Sequence, residues 1–160
     1  MAMLISTCGG GGYLEDDEAS AMLGIPLDTS VPALVCLGLT GVAGQLTYLR
    51  ADIRTWASGT GLSDDDAEDL VLATYEALTN AAEHAYGAAT GVVDLVAART
   101  ADGQIVVSVS DRGRWRPPPS DPGFRGRGLA MMRGLAHEVE VRPGDEGTTV
   151  LMWWHPKPGA

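Results

Sequence analysis

Apolar residues recur every three or four positions between residues 64 and 86, a spacing typical of a helix with one buried face. Ser63 stands just before this segment and is a typical helix N-cap. At 100° per residue, Glu76, Asn80 and His84 form one stripe at the border of the apolar face. The pattern therefore predicts a helix that presents a carboxylate, an amide and an imidazole along the edge of the core.

The remaining hydrophobic pattern predicts five strands and two more helices. Asp102-Gly103 is typical of a hairpin turn, so the strands on either side of it should pair antiparallel. The element order predicts a two-layer α/β sandwich, with a mixed, mostly antiparallel sheet and helices on one face. The predicted elements are strand 34–39, helix 42–57, helix 64–86, strands 92–98 and 104–110, helix 128–136, and strands 138–142 and 148–154.

The first 30 residues differ in composition from the rest of the chain. A glycine run at 9–12 and an acidic run at 15–18 bury little apolar surface, so residues 1–30 are expected to form a flexible arm. The folded domain is expected over residues 31–156, with 157–160 as a tail. Residues 29–49 are uncharged and long enough to span a bilayer, but proline, glycines and hydroxyl residues dilute their apolarity. A strand followed by a helix explains that stretch better than a membrane span.

Composition narrows the class of protein. The chain has 160 residues, 45% of them hydrophobic, which suits one soluble domain. Its formal net charge of −10 argues against direct nucleic-acid binding, which needs cations, and favours a basic protein partner. Cys8 and Cys36 are too few for a structural zinc site or a disulfide framework, and no basic stretch precedes an apolar run at the N-terminus. A cytoplasmic location is expected.

Asp111 ends an alternating apolar strand, and Gly113 follows two residues later. A glycine there allows a sharp turn, so the carboxylate would stand at the end of the sheet beside the helix layer. A carboxylate in that position can accept a hydrogen bond from an exocyclic amine such as that of adenine. A turn-initiating aspartate before a loop would show the same pattern, so this motif alone leaves both interpretations open.

Gly126-Arg127-Gly128 comes directly before a predicted helix. Unhindered backbone N–H groups at a helix N-terminus bind anions, although the same run could be a flexible hinge. Arg125 and Arg127 would reach phosphates or balance nearby acids. The P-loop pattern is absent, but a Mg²⁺ ion on Asn80 would replace its lysine in neutralising phosphate charge.

Taken in order over residues 32–154, four motifs resemble those of the GHKL (Bergerat-fold) histidine-kinase-like ATPases. Within that superfamily the chain is most similar to the bacterial anti-sigma-factor serine/threonine-protein kinases, chiefly in the second half of the first motif. The motifs are Glu76-x-x-x-Asn80-Ala81-x-x-His84-Ala85-Tyr86, Asp111-x-Gly113, Gly126-x-Gly128-Leu129 and Gly147-Thr148-Thr149-Val150.

The resemblance implies a site for ATP and Mg²⁺, with Asn80 as the magnesium ligand and Asp111 as the acceptor for the adenine amine. Glu76 would be the general base that orients or deprotonates a serine or threonine hydroxyl of a partner protein. Residues 114–125 would form the nucleotide lid. The other residues implied in nucleotide binding are His84, Gly113, Gly126, Arg127, Gly128, Leu129, Thr148 and Thr149.

The implied function is that of an anti-sigma factor in a partner-switching system, which binds a sigma factor and phosphorylates a small antagonist protein. A homodimer is expected by family analogy. Two features bear on the subfamily: Tyr75 stands where sensor histidine kinases usually carry a histidine, and Arg114-Trp115 replaces a glycine common in the second motif. The alternatives are a non-catalytic ATP-binding interaction module of the same fold and a detached histidine-kinase catalytic domain.

Overall fold

The fold is known from a computed structural model that describes residues 16–40, 42–84, 92–112, 127–144 and 147–157. The described strands are β1 (Leu34–Leu39), β2 (Val93–Arg99), β3 (Ile105–Asp111), β4 (Glu138–Gly144) and β5 (Gly147–Trp154). The described helices are α1 (Asp16–Leu23), α2 (Val42–Ser58), α3 (Asp64–His84) and α4 (Arg127–Leu135). The strands form one sheet in the order β1-β2-β3-β5-β4.

Every neighbouring pair of strands in this sheet is antiparallel, so the expected parallel component is absent from the described strands. The uncharged stretch over residues 29–49 divides into β1 and the start of α2, as predicted from its glycines and proline. No helix in the described ranges is both long enough and apolar enough to cross a membrane. These findings confirm the α/β fold that the element order predicts.

Helices α2, α3 and α4 cover one face of the sheet, and the main core lies between the two layers. Side chains alternate between the faces of a strand, so alternate residues of β2, β3 and β5 enter this core. From the sheet it receives Leu34, Cys36, Leu95, Ala97, Ile105, Val107, Val109, Met152 and Trp154. Trp153, the neighbour of the buried Trp154, lies on the opposite face.

Residues 16–30 are not the flexible arm that their composition predicts. Helix α1 buries Ala19 and Leu23, and Leu23 packs with Val35 and Val96 on the face of the sheet opposite α2–α4. Helices therefore lie on both faces rather than on one. Averaging composition over 30 residues concealed this short apolar stripe, because the acidic residues 17 and 18 lie on the exposed side of α1. Residues 1–15 of the predicted arm lie outside the described ranges.

The segment after α1 is hydrogen-bonded to the sheet at Arg99. The Asp28 N–H donates to the Arg99 carbonyl at 2.9 Å, and Arg99 Nη1 donates to the Thr60 carbonyl at 3.0 Å. Hydrogen bonds from the hydroxyl and N–H of Ser30 lower the pKa of Asp28, with a smaller contribution from Arg99. A lowered pKa in the folded state stabilises the fold above the unfolded pKa, and this contribution is lost as the pH falls through the folded pKa.

The start of α3 is capped as predicted, since the Asp66 N–H donates to Ser63 Oγ at 3.1 Å. One turn later, partial burial and repulsion from Asp66 and Asp65 raise the pKa of Asp69, while His137 acts in the opposite direction. His137 Nε2 itself lies 3.5 Å from Asp66 Oδ1. The negative charge of Asp69, in the N-terminal turns of α3, therefore destabilises the folded state.

We expect Asp69→Asn to raise the melting temperature by a few degrees at pH 7. A carboxyl group whose folded pKa is raised contributes stability below its unfolded pKa, and this contribution is lost as the pH rises through the folded pKa. The gain should therefore vanish near pH 3, where Asp69 is protonated in both states. Thermal unfolding followed by circular dichroism between pH 3 and 8 measures it. Asp64→Asn is the matched control, because Asp64 is exposed in the first turn, where the helix dipole favours its charge, and it is not one of the carboxylates that raise the pKa of Asp69. A gain that is independent of pH would contradict the prediction.

Candidate functional site

Helix α3 places the first motif at the edge of the core. Its apolar face packs on the sheet through Leu70, Ala77 and Leu78, all of which are buried. Glu76 and Asn80 are partly buried beside that face, at the border that the helical spacing predicts. Because they are four residues apart, their side chains are neighbours on one helix surface. The carboxylate and the amide can therefore act on the same bound molecule.

The Asn80 amide lies against the first turn of α4. A Cβ atom built on Gly128 would lie 2.8 Å from Asn80 Oδ1 and 3.0 Å from Asn80 Cγ, so a side chain at this position would displace the Asn80 amide. The first N–H groups of a helix have no partner within the helix and favour anions. The structure thus brings together two residues that the sequence places in separate motifs. Leu129, next in the chain, packs partly buried against the main core and holds this turn in place.

Asp111 lies at the end of β3 and is oriented by the start of β5. The Thr148 N–H donates to Asp111 Oδ1 at 3.2 Å. Gly147 has a φ of 145°, and a Cβ on it would lie 2.8 Å from the Asp111 carbonyl carbon and 2.9 Å from Arg112 Cα. A glycine is therefore required for β5 to begin beside the end of β3. Alternation along β3 puts Asp111 on the same face as Val109, which is the face covered by α3.

The two candidate threonines lie on opposite faces of β5. Thr149 Oγ1 lies 3.0 Å from Ser110 Oγ. In its own strand each of these residues is next to a residue that faces the helices, so both side chains lie on the other face of the sheet. The Thr149 hydroxyl is therefore directed away from the side of the sheet that Asp111 occupies. Thr148 shares that side and contacts Asp111 through its backbone N–H. Of the two, Thr148 is the one that the structure brings to the site.

Several predicted site residues lie outside the described ranges. These are Gly113, Gly126 and the lid at 114–125. The backbone of His84 forms the last residue of α3, and that of Arg127 the first residue of α4. Their predicted roles in nucleotide binding remain predictions.

Sequence reasoning missed Asp94, which lies next to the end of β3. Its Oδ1 accepts a hydrogen bond from the Gly38 N–H at 2.7 Å, and its Oδ2 lies 3.7 Å from Arg112 Nη2. Asp94 is the one charged residue in the apolar run 92–98, which is a signal that sequence inspection could have used. A second missed contact lies beside Glu76, where the Arg50 guanidinium stands 5.9 Å from the centre of the Tyr75 ring.

The donor set fits a magnesium nucleotide. An amide oxygen is a hard ligand of the kind that Mg²⁺ accepts. An ionised carboxylate such as Asp111 only accepts hydrogen bonds, which suits a donor such as an amine. A helix N-terminus favours a phosphate group. Within the described ranges no three His, Cys, Asp or Glu side chains gather to hold a metal on their own. A metal at Asn80 would therefore depend on oxygens of the bound ligand, as Mg²⁺ commonly does.

Comparison with known proteins identifies the class to which this fold and site belong. The family model of the histidine kinase-like ATPase domain matches residues 41–154, so the chain is a member of that family. Among curated relatives, the serine-protein kinase RsbW of Bacillus pumilus (strain SAFR-032) is 30% identical over 145 residues, covering 80% of each chain. RsbW of Bacillus cereus (strain AH187) is 29% identical over 143 residues, covering 80% of this chain and 79% of the relative.

Two solved structures are also similar. One contains the RsbU and RsbW domains of Rv1364c from Mycobacterium tuberculosis, with 34% identity and a TM-score of 0.57, covering 76% of this chain and 32% of that one. The other is the blue-light activated histidine kinase EL346 of Erythrobacter litoralis, with 28% identity and a TM-score of 0.51, covering 72% of this chain and 41% of that one. These findings confirm the resemblance to the anti-sigma-factor kinase group and its ATPase fold.

Proposed function

We propose that the chain is an ATP-dependent serine/threonine-protein kinase that acts as an anti-sigma factor and phosphorylates a small antagonist protein. The observation that carries the proposal is the contact of Asn80 with Gly128. It joins the helix that bears Glu76 to a helix N-terminus suited to phosphate. The family match and the RsbW relatives support an ATP-binding domain of the kinase type.

Each part of the site has a chemical task in this proposal. Asp111 accepts the hydrogen bond of the adenine amine, and the Thr148 N–H fixes the orientation of its carboxylate. Asn80 supplies an amide oxygen to the magnesium ion, and the first turn of α4 at Gly128 faces the phosphates. Mg²⁺, when bound, neutralises phosphate charge. These residues supply binding and orientation, which account for most of the catalysis in phosphoryl transfer.

Glu76 is the proposed general base. It lies one helical turn before Asn80 and is partly buried, so its carboxylate stands next to the residue that holds the metal and the phosphates. There it would orient the hydroxyl of a serine or threonine from the partner and accept its proton as the new bond to the γ-phosphorus forms, while the bond from that phosphorus to the β,γ-bridging oxygen breaks and ADP leaves. Because both residues are on α3, the helix would fix the distance between the base and the phosphate site.

The proposed partners are proteins. The net charge of −10 favours basic protein surfaces over nucleic acid, and we propose a sigma factor and its antagonist, by resemblance to the anti-sigma kinases. A cytoplasmic location and a homodimer complete this proposal.

We expect radiolabelled phosphate to pass from Mg-ATP to serine or threonine of a co-purifying partner, as an acid-stable product. Glu76→Gln should slow this transfer about a hundredfold, a usual contribution of a general base, while ATP affinity is retained. Glu83→Gln is the matched control, because Glu83 is an exposed glutamate on the same helix. Asn80→Ala should abolish the magnesium dependence of ATP binding.

Each alternative function gives a different result in the same assay. An acid-labile phosphohistidine would identify a histidine-kinase catalytic domain. Bound ATP without transfer would identify a non-catalytic interaction module. Transfer at an unchanged rate in Glu76→Gln would disprove the assignment of the base.

A further inference from the structure

We propose that His137 is a pH-dependent switch for the segment after β5, which comprises residues 155–157. The neutral imidazole of His137 holds this segment by accepting the His155 N–H, and the protonated imidazole releases it. His137 lies beyond the C-terminal end of α4, whereas Gly128 lies in the first turn of that helix. The switch is therefore separate from the proposed nucleotide site and does not depend on kinase activity.

The backbone around His137 is attached by contacts that do not titrate. The His137 N–H donates to the Trp153 carbonyl at 2.9 Å, and the Trp154 indole Nε1 donates to the Leu135 carbonyl at 3.2 Å. Amides, carbonyls and indoles keep their protonation state across the range in which proteins stay folded. The end of β5 is thus attached up to Trp154 at any such pH, and the imidazole matters from His155 onward.

The two ring nitrogens of His137 make different contacts. Nδ1 accepts the His155 N–H at 2.9 Å, so it carries no proton in this structure. The proton of the neutral ring is then on Nε2, which lies 3.5 Å from Asp66 Oδ1. A protonated imidazole donates from both nitrogens, so no rotation of the ring provides an acceptor for the His155 N–H. Protonation of His137 therefore breaks this hydrogen bond.

Titratable groups on two sides of the ring determine which neighbour a charged imidazole keeps. On the α3 side, partial burial and the nearby aspartates raise the pKa of Asp69, and His137 acts in the opposite direction. Asp66 and Asp69 both attract a positive ring. On the other side, the centres of the His137 and His155 rings are 5.5 Å apart, so two charged rings repel each other. A protonated His137 is therefore drawn to α3 and repels the segment after β5.

The remaining charged groups near His137 belong to α4 and β4. Glu138 pairs with Trp153 and lies on the face of the sheet opposite the main core, while Arg133 is exposed in the last turn of α4. The His137 side chain is 36% exposed, so it exchanges protons with solvent. Imidazole is the side chain whose charge usually changes between pH 5 and 8, and these two values are the conditions to compare.

NMR spectroscopy of the ¹⁵N-labelled full chain tests the switch. Ring ¹⁵N shifts give the tautomer of His137, which we expect to carry its proton on Nε2 at pH 8. At pH 8 the His155 amide should exchange with water about tenfold more slowly than in an unfolded chain at the same pH, and at pH 5 this protection should be lost. The His137 amide, which donates to the Trp153 carbonyl, is the internal control and should stay protected at both pH values.

Three variants separate the hydrogen bond from the other effects of pH. In His137→Asn an amide oxygen that does not titrate stands near the position of Nδ1, so the His155 amide should be protected equally at pH 8 and pH 5. His137→Phe keeps a ring without an acceptor, so this protection should be absent at both. His155→Gln keeps the backbone N–H and removes the second ring, so the amide of residue 155 should still lose its protection at pH 5.

Four results would overturn the proposal. One is equal protection of the His155 amide at pH 8 and pH 5 in the wild type, and another is a proton on Nδ1 of His137 at pH 8. A pH dependence that persists in His137→Asn would show that another group titrates. A pH dependence that disappears in His155→Gln would attribute the release to repulsion between the rings alone. If His137→Phe does not fold, the wild type, His137→Asn and His155→Gln still decide the question.

Discussion

Gly128→Ala is expected to abolish magnesium-dependent nucleotide binding and to leave the chain folded. The added methyl group would lie 2.8 Å from Asn80 Oδ1 and 3.0 Å from Asn80 Cγ, closer than a Cβ atom stands to its neighbours in folded proteins. Gly128 is buried against α3, so the helix cannot simply tilt outward without exposing core. The Asn80 side chain is the movable partner and must turn away. With the amide displaced, the site loses its one metal ligand from this chain in the proposed mechanism.

Binding of a fluorescent ATP analogue with and without Mg²⁺ measures this effect, and circular dichroism checks the fold. Gly134→Ala is the matched control in the same helix, because a Cβ there meets no atom within 4 Å. Alanine also favours helix over glycine, so Gly134→Ala should bind nucleotide normally and melt no earlier than the wild type. Normal magnesium-dependent binding by Gly128→Ala would show that the contact between α3 and α4 is not part of the nucleotide site.

Local patterns predicted the parts of the fold that depend on burial of one face. The helical spacing predicts a helix over 64–86, and α3 is described from Asp64 to His84. The hairpin signal at Asp102-Gly103 is confirmed by the antiparallel pairing of β2 with β3. In both cases the periodicity of apolar residues matches the periodicity of the element, so the buried face is already encoded in the local sequence.

Contacts between distant segments could not be predicted in the same way. Which of Thr148 and Thr149 shares a face with Asp111 depends on the register of β5 against β3, and a shift by one residue exchanges the two faces. Asp94 meets Arg112 only because β2 and β3 pair in one particular register. Helix α1 was missed because an eight-residue helix with two buried residues leaves little trace in an acidic, glycine-rich stretch.

Gly147→Ala is expected to lower both the stability of the fold and the affinity for adenine. Its φ of 145° lies in a region that side-chain-bearing residues rarely adopt, at a cost of about 1–3 kcal/mol. The new methyl group would also overlap the backbone of Asp111, which cannot rotate away as a side chain does. The ends of β3 and β5 would have to separate, and the hydrogen bond from the Thr148 N–H to Asp111 would be lost. With backbone overlap added to strain, the total cost is about 3 kcal/mol or more, and the melting temperature should fall by about 10 °C.

Gly24→Ala separates backbone strain from the overlap with Asp111. Gly24 also has a positive φ, of 68°, but a Cβ there meets nothing within 4 Å. Alanine in that conformation costs about 1–2 kcal/mol, so Gly24→Ala should melt a few degrees lower and bind nucleotide like the wild type. Thermal unfolding and titration with ATP and GTP distinguish the two variants. If Gly147→Ala were no less stable than Gly24→Ala and kept its preference for ATP, the start of β5 would not be what orients Asp111. A Gly147→Ala protein that is destabilised and has lost that preference would show that one backbone contact serves both the sheet and the proposed adenine site.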